Sequence, residues 1–198
     1  MSSWFRLYAD HRDVHESTSD WPSAIRKRLK KLSETNHCEN NAQWLFTGKE
    51  EAKRDNRKGR SPTTEWRFSP CVLPLVRIPY MSEASLDIKA MIDRNEKRLL
   101  AFSLVVTGKR EDNTTFTLAV HLEDDTVTEK NRLGDRKGQG ACGHAAFHCH
   151  VGPDLDTEPK VRVPMPAIST IDALDWVLSQ AIPVEEFEPA PWSELGVA

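Results

Sequence analysis

The sequence predicts an α+β fold in which a small antiparallel sheet, a hairpin plus a third strand, packs with helices behind a helical, basic N-terminal part. Apolar, β-branched runs at residues 99–107 and 114–122 flank the polar turn GKREDN, which is typical of a hairpin. Capping residues begin two amphipathic segments, one after Asp20 and one at a capping box formed by Ser169 and Asp172.

The N-terminal part is predicted to contain a short strand at residues 3–9 and then a basic amphipathic helix. Pro22 suits the first turn of this helix. Four apolar residues recur at helical spacing and define its buried face: Trp21, Ile25, Leu29 and Leu32. A second short helix is predicted around residues 40–46. Residues 49–60 contain almost no apolar side chains, so we expect a solvated helix end or a flexible loop there.

The middle of the chain is predicted to be extended and then helical. Three prolines within residues 70–80 favour an extended connection. Residues 82–93 are predicted to form a helix, because a set of apolar residues falls on one side of it: Ala84, Ile88, Met91 and Ile92.

After the hairpin, the sequence predicts a third strand at residues 141–151, a short strand at 160–163 and a final helix. This helix is expected to bury Ile171, Leu174, Val177 and Leu178. The predicted organisation is a basic, partly helical region at residues 1–70, an α+β core at 71–182 and an acidic flexible tail at 183–198.

The overall composition argues against a membrane protein. The 198 residues are 38% hydrophobic and 29% charged, and no apolar run approaches the roughly 20 residues that a membrane span needs. The first residues lack the order of a secretory signal, so we expect a cytoplasmic protein with no membrane partner. The four cysteines form no CxxC pair, and free thiols are expected.

The net charge of −3 conceals a strong asymmetry along the chain. Residues 26–60 contain eleven Lys or Arg and five acids, a balance of +6, whereas residues 171–198 contain six acids and no Lys or Arg. This asymmetry indicates an anionic partner for the basic part, with RNA favoured over DNA, or an acidic segment that docks on it. The predicted nucleic-acid contacts are Arg26, Lys27, Arg28, Lys30 and Lys31.

A histidine cluster is the strongest chemical signal in the sequence. The segment CGHAAFHCH at residues 142–150 contains His144, His148 and His150, and in a strand these three share one face. If the neighbouring strand pairs in the assumed register, His121 joins them. Arg136 and Lys137, in the preceding glycine-containing loop, are candidate phosphate ligands.

Three interpretations of this cluster stay open. It is a solvated sheet face, a site for zinc or another divalent metal, or an acid–base site that needs no cofactor. In the third case, one histidine accepts a proton from an RNA 2′-hydroxyl and another donates one to the leaving oxygen. Imidazole suits both roles because its usual pKa lies near neutrality.

The second half of the chain resembles the small TumE-like bacterial toxins of toxin–antitoxin systems. The residues that carry the resemblance are Gly138, His148, His150 and the segment 168–178, within residues 99–180. The resemblance implies a toxin- or defence-associated protein that acts on RNA, with an antitoxin as a possible partner.

From the sequence we therefore expect a small cytoplasmic protein that acts on nucleic acid, a candidate ribonuclease with His121, His144, His148 and His150 as catalytic residues. The alternative is a non-enzymatic interaction module or complex subunit that binds nucleic acid or a protein partner.

Overall fold

A computed structural model describes residues 20–51, 63–69, 72–95, 97–123, 147–153, 162–164 and 169–182. The expectations for residues 3–9 and for the tail at 183–198 lie outside these ranges. The described helices are α1 (Trp21–Glu34) and α2 (Thr170–Ala181), and a short 3-10 helix spans Ala42–Trp44. The strands are β1 (Phe46–Glu51), β2 (Thr63–Phe68), β3 (Leu73–Pro74), β4 (Ser82–Asp93), β5 (Arg98–Lys109), β6 (Thr115–Glu123), β7 (Phe147–Gly152) and β8 (Arg162–Pro164).

The predicted fold class is wrong, because the protein is dominated by a large sheet. Eight antiparallel strands form one sheet in the order β1-β2-β4-β5-β6-β7-β8, and β3 pairs with β4 beside this path. Two α-helices are present in the described part of the chain. The N-terminal strands β1 and β2 continue the sheet that the hairpin begins, so the sheet is much larger than expected.

The helix predicted at residues 82–93 is a strand, β4. Its apolar residues fit a helical spacing, but they fit strict alternation better. The buried residues of β4 include Ala84, Leu86, Ile88 and Ala90, with polar or exposed residues between them. Alternation is the period of a strand with one buried face, and pairing with β2 and β5 on either side stabilises that conformation.

The hairpin and the final helix are confirmed. Strands β5 and β6 pair from Ala101 opposite Glu123 to Lys109 opposite Thr115. In the connecting turn, Asp112 accepts hydrogen bonds from the backbone N–H and the hydroxyl of Thr114 at 2.9 and 2.5 Å. These bonds hold the pKa of the Asp112 carboxyl below its usual value.

The capping box at the start of α2 forms as predicted. The Ser169 hydroxyl accepts a hydrogen bond from the backbone N–H of Asp172 at 3.1 Å and donates one to its carboxylate at 2.7 Å. The helix buries Leu174, Val177 and Leu178, while Ile171 is half-buried.

Both helices cover one face of the sheet. The predicted apolar face of α1 is buried, and the Trp21 ring meets Phe102 of β5 edge-on at 6.1 Å. The indole N–H of Trp21 donates to the Thr170 hydroxyl at 2.6 Å. Arg28 of α1 donates to both oxygens of the buried Asp175 carboxylate at 2.9 to 3.3 Å. A hydrogen bond and an ion pair therefore join the two helices above the apolar core.

The core lies between the helices and the apolar face of the sheet. Phe68 belongs to the predicted basic region at residues 1–70, and Leu104 belongs to the predicted α+β core at residues 71–182. Both side chains lie in the same buried cluster.

No helix in the described ranges has the length and apolar character needed to cross a bilayer.

Candidate functional site on the polar face of the sheet

The sheet face opposite the helices carries polar and charged side chains together with Met91, Ala101, Val105 and Ala119, and we call it the polar face. Side chains alternate along each strand. The buried residues face the core, and the residues between them on the same strand face away from it. Across five strands the register aligns one set of these outward residues, which we call the transverse row. From β1 to β6 the row consists of Thr47, Arg67, Lys89, Ser103 and His121.

Two imidazoles meet at the end of the transverse row. The rings of His121 and His150 lie with their centroids 5.2 Å apart at an interplanar angle of 75°. His121 pairs across the strands with the backbone of His148, and His150 pairs with Ala119. The two rings are therefore diagonal neighbours on β6 and β7, and both are half-buried. This is the pairing on which the predicted histidine cluster depends.

A shallow depression of about 180 Å³ lies beside His121. Lys89, Ser103 and Glu65 are polar residues of its lining. The complete lining is Glu65, Lys89, Ala90, Met91, Ala101, Phe102, Ser103 and His121. His121, Ser103 and Lys89 thus line one small opening together with Glu65.

The two cations of the transverse row extend further into solvent than the carboxylates beside them. Lys89 Nζ lies 2.7 Å from Asp87 Oδ2, yet the Lys89 side chain is 54% exposed and that of Asp87 only 18%. Arg67 lies 4.0 Å from Glu65, and their side chains are 47% and 29% exposed. Because the Lys89 and Arg67 side chains are about half exposed, an anionic ligand can approach both cations from solvent.

The basic residues of α1 lie on the other side of the sheet from this site. Arg28 is held by Asp175, and Arg26 donates to the Phe46 carbonyl oxygen at 3.0 and 3.3 Å. Lys27 and Lys30 are exposed, and Lys30 lies 3.5 Å from Glu34. Lys31 is half-buried. The predicted nucleic-acid contacts on α1 and the histidines on β6 and β7 therefore belong to opposite faces.

Other predicted site residues cannot be placed. His144, Arg136 and Lys137 lie outside the described residues. Within the described ranges, no three His, Cys, Asp or Glu side chains are grouped as a metal ion would require. The predicted zinc or other divalent metal stays a prediction.

Two indole rings and a guanidinium lie together on the helix side of the sheet, beside β1. The Arg26 guanidinium is 5.3 Å from the Trp66 ring centroid and 5.7 Å from that of Trp44. A Cβ on Gly48 would come within 2.7 to 3.0 Å of Trp66 ring carbons, so glycine allows the ring to lie against β1. Trp44 is the outermost member and is 65% exposed.

Cys38 has the environment of a packing residue rather than of a nucleophile. Its side chain is buried, and its sulfur lies 3.4 Å from the Ser33 hydroxyl. Burial raises the pKa of the Cys38 thiol, and the hydrogen bond with Ser33 only partly opposes this effect. A raised pKa reduces the thiolate that a nucleophile requires. Cys149 is also buried.

Sequence reasoning did not identify Glu65, Arg67, Lys89 or Ser103 as site residues. The available signal was the alternation in residues 82–93, which places Lys89 on the polar side of a strand once those residues are treated as extended. Arg67 and Glu65 carried no comparable signal, because their strand is short and mixed in character.

Comparison with known proteins gave no match: no protein-family model, curated protein or solved structure is significantly similar to this chain. The resemblance to TumE-like toxins therefore stays a prediction.

Proposed function

We propose that the polar face binds RNA in the cytoplasm and that the imidazoles of His121 and His150 cleave its phosphodiester backbone by acid–base catalysis. The observation that carries this proposal is the contact between the two rings, 5.2 Å apart, beside a depression that Lys89 and Ser103 also line. The proposal retains His121 and His150, two of the four histidines predicted from the sequence, and adds Lys89 and Ser103.

The proposed reaction is an internal transesterification. One imidazole accepts the proton of a ribose 2′-hydroxyl, whose oxygen attacks the adjacent phosphorus, while the other donates a proton to the departing 5′-oxygen. The products are a 2′,3′-cyclic phosphate and a free 5′-hydroxyl. Lys89 stabilises the negative charge that develops on the phosphoryl oxygens, and the Ser103 hydroxyl donates a hydrogen bond to one of them.

The test is cleavage of single-stranded RNA by the full chain and by His121→Ala and His150→Ala variants. Each substitution is expected to lower the rate by about 10²- to 10⁴-fold, the usual contribution of a positioned acid or base. The same oligonucleotide without 2′-hydroxyls should stay intact, and the pH–rate profile should be bell-shaped. Absence of cleavage by the unmodified chain, or equal rates with a His121→Ala, His150→Ala double variant, would refute the catalytic proposal.

A matched pair of lysine variants isolates the role of Lys89. Lys109 also lies on a strand beside a carboxylate, at 2.5 Å from Glu83, and its side chain is 44% exposed. It is six residues along β5 from Ser103, roughly 20 Å away at the usual strand rise. Lys89→Ala should slow cleavage, whereas Lys109→Ala should leave the rate unchanged.

The second candidate is a nucleic-acid-binding module without catalysis, and the outward position of Arg67 and Lys89 favours it. In this case RNA binding weakens with salt but survives loss of His121 and His150. Comparing binding and cleavage in the double histidine variant separates the two candidates.

A further inference from the structure

We propose that the depression beside His121 is a base-binding pocket, in which the Glu65 carboxylate selects guanine in the nucleotide on the 5′ side of the cleaved bond. This inference rests on the proposed function, because it names the RNA sequence that the same site recognises. It also gives the imidazoles of His121 and His150 different roles.

The depression lies over β4 and β5, between two aligned sets of outward side chains. One set belongs to the transverse row and consists of Lys89, Ser103 and His121. The other set lies two residues further along the strands and consists of Glu65, Met91 and Ala101. Ala90 and Phe102 also line the depression, and because their side chains are buried in the core, their backbone forms its floor.

Met91 and Ala101 give the depression an apolar surface. They pair directly across β4 and β5, and both are half-buried at outward positions of their strands. A methionine thioether makes favourable contacts with aromatic rings, and the small alanine side chain leaves room above it. A planar base can therefore lie on this pair.

Glu65 lies at the edge of this surface. It pairs with Met91 across β2 and β4, and its side chain faces away from the core because Trp66 and Phe68 pack against the core. The Glu65 side chain is 29% exposed, and its carboxylate lies 4.0 Å from Arg67, too far for a hydrogen bond. Within the described part of the chain, the Glu65 carboxylate accepts no hydrogen bond, so both oxygens are available to a ligand.

Guanine is the base that suits two available carboxylate oxygens. Its pairing edge presents two adjacent N–H donors, at N1 and N2, whereas the other three bases present acceptors next to their donor. Two parallel N–H bonds to a carboxylate are strong because the acceptor is ionised. A cationic ligand suits the position less well, since the exposed side chains of Arg67 and Lys89 lie beside it and repel positive charge.

The separation of Glu65 and His121 accommodates one nucleoside. Three strand spacings across the sheet and two residues along it place their Cα atoms about 16 Å apart. Two hydrogen bonds of about 2.9 Å leave roughly 10 Å for the ligand. A guanosine bound through its N1–H at Glu65 then brings its 2′-hydroxyl to His121.

This placement assigns the proton transfers. His121 accepts the proton of the guanosine 2′-hydroxyl, whose oxygen forms a bond with phosphorus. His150 lies on β7, one strand further from the depression, and donates a proton to the 5′-oxygen as its bond with phosphorus breaks. The products are a guanosine 2′,3′-cyclic phosphate and a free 5′-hydroxyl.

The first test is binding of the four nucleoside 3′-monophosphates to the full chain, measured by isothermal titration calorimetry. These probes contain the base and the 2′-hydroxyl but no bond for the site to cleave. Guanosine 3′-monophosphate should bind about ten- to hundredfold more tightly than the other three. Glu65→Gln should reduce this ratio to within about threefold, because the amide offers only one acceptor oxygen. The ratio cancels the change in net charge, which affects all four nucleotides equally.

Glu83→Gln is the matched control. Glu83 is also a carboxylate beside a cation, Lys109, but its side chain is 67% exposed and it does not line the depression. Glu83→Gln removes the same charge and should keep the ratio of the unmodified chain. Equal binding of the four nucleotides by the unmodified chain, or equal ratios in Glu65→Gln and Glu83→Gln, would overturn the pocket.

The second test is cleavage of the dinucleotides GpA, ApG and ApA, which separates the two sides of the bond. GpA should be cleaved about ten- to hundredfold faster than ApA, and ApG at the rate of ApA. Faster cleavage of ApG than of GpA would place guanine on the 3′ side and overturn the roles given to His121 and His150.

The two proposals fail in different ways. RNA cleavage without a preference for guanine, or with a preference that Glu65→Gln retains, overturns the pocket and leaves the proposed function. Selective binding of guanosine 3′-monophosphate through Glu65 without RNA cleavage supports the pocket and overturns catalysis. Equal binding of the four nucleotides together with absence of cleavage overturns both.

Discussion

The ion pair between Arg28 and Asp175 provides a quantitative test of how the two helices are joined. The Asp175 side chain is 5% exposed, and the guanidinium makes three hydrogen bonds with it. Replacing Arg28 with methionine removes these donors and leaves a buried carboxylate without its partner. Such changes cost about 3–5 kcal/mol, and because the Arg28 side chain is itself 26% exposed, we expect a loss of about 3 kcal/mol in the free energy of unfolding.

The measurement is urea unfolding monitored by tryptophan fluorescence. The slope m of the free energy of unfolding against urea concentration is compared between variants. Lys30→Met is the matched control, since Lys30 is on the same helix and its pair with Glu34 is exposed at both ends, 63% and 62%. Its loss should cost no more than about 0.5 kcal/mol. The double variant Arg28→Met, Asp175→Leu should recover most of the stability, because an apolar pair can replace a buried ion pair at little cost.

The result that would refute this reasoning is a loss in Arg28→Met no larger than that in Lys30→Met. Equal losses would mean that water or another group satisfies Asp175 once the guanidinium is gone. A double variant as unstable as Arg28→Met would show that Asp175 contributes no unpaired charge to the penalty.

Three further predictions concern other contacts. Thr170→Val removes the acceptor of the buried Trp21 indole N–H and should cost about 1–3 kcal/mol in urea unfolding, whereas Thr170→Ser should retain most of the stability. Gly48→Ala should displace the Trp66 ring, change the tryptophan emission and cost about 1–3 kcal/mol, and an unchanged spectrum would contradict the close contact. Asp112 has a lowered folded-state pKa, so its ionised form adds stability above the unfolded-state pKa. This contribution disappears as the pH falls through the folded-state value. The stability difference between the unmodified chain and Asp112→Asn should therefore shrink on acidification, and a constant difference would contradict it.

The parts of the fold that local sequence determines were predictable. A helix with a capping box and a consistent apolar face, such as α2, carries its own boundary signals. The hairpin of β5 and β6 is also local, because its strands are adjacent and its turn is short. The shared face of His121 and His150 was predictable too, because it requires only the alternation of side chains along two strands and the pairing of β6 with β7.

The N-terminal strands were not predictable because their stability depends on distant partners. Strand β2 contains both polar and aromatic residues, and it is extended because β1 and β4 pair with its two edges. The apolar residues of β4 fit both the period of a helix and the period of a strand, so the sequence pattern did not identify this segment as extended. With residues 82–93 predicted as a helix, β2 had no neighbouring strand with which to pair. The position of Arg67 opposite Lys89 across two paired strands could therefore not be predicted.

The charge asymmetry takes a different meaning once each residue is placed in the fold. The +6 segment suggested that α1 meets the nucleic acid, but Arg26 and Arg28 bind groups of the protein itself. Among the side chains that the structure describes, the exposed cations of the transverse row are Arg67 and Lys89, which lie outside that segment.

The salt dependence of oligonucleotide binding separates these two interpretations. Each phosphate contact with a single strand contributes about −0.7 to the slope of log K against log salt. Arg67→Ala with Lys89→Ala should make the slope shallower by about 1.4 if both cations bind phosphate. Lys27→Ala with Lys30→Ala removes two exposed lysines of α1, on the far side of the sheet, and should leave the slope unchanged. The opposite pattern would place the nucleic acid on α1 and remove the polar face from its path. Net charge along a chain thus indicates the sign of a partner, while the location of the contact depends on which cations the fold leaves facing solvent.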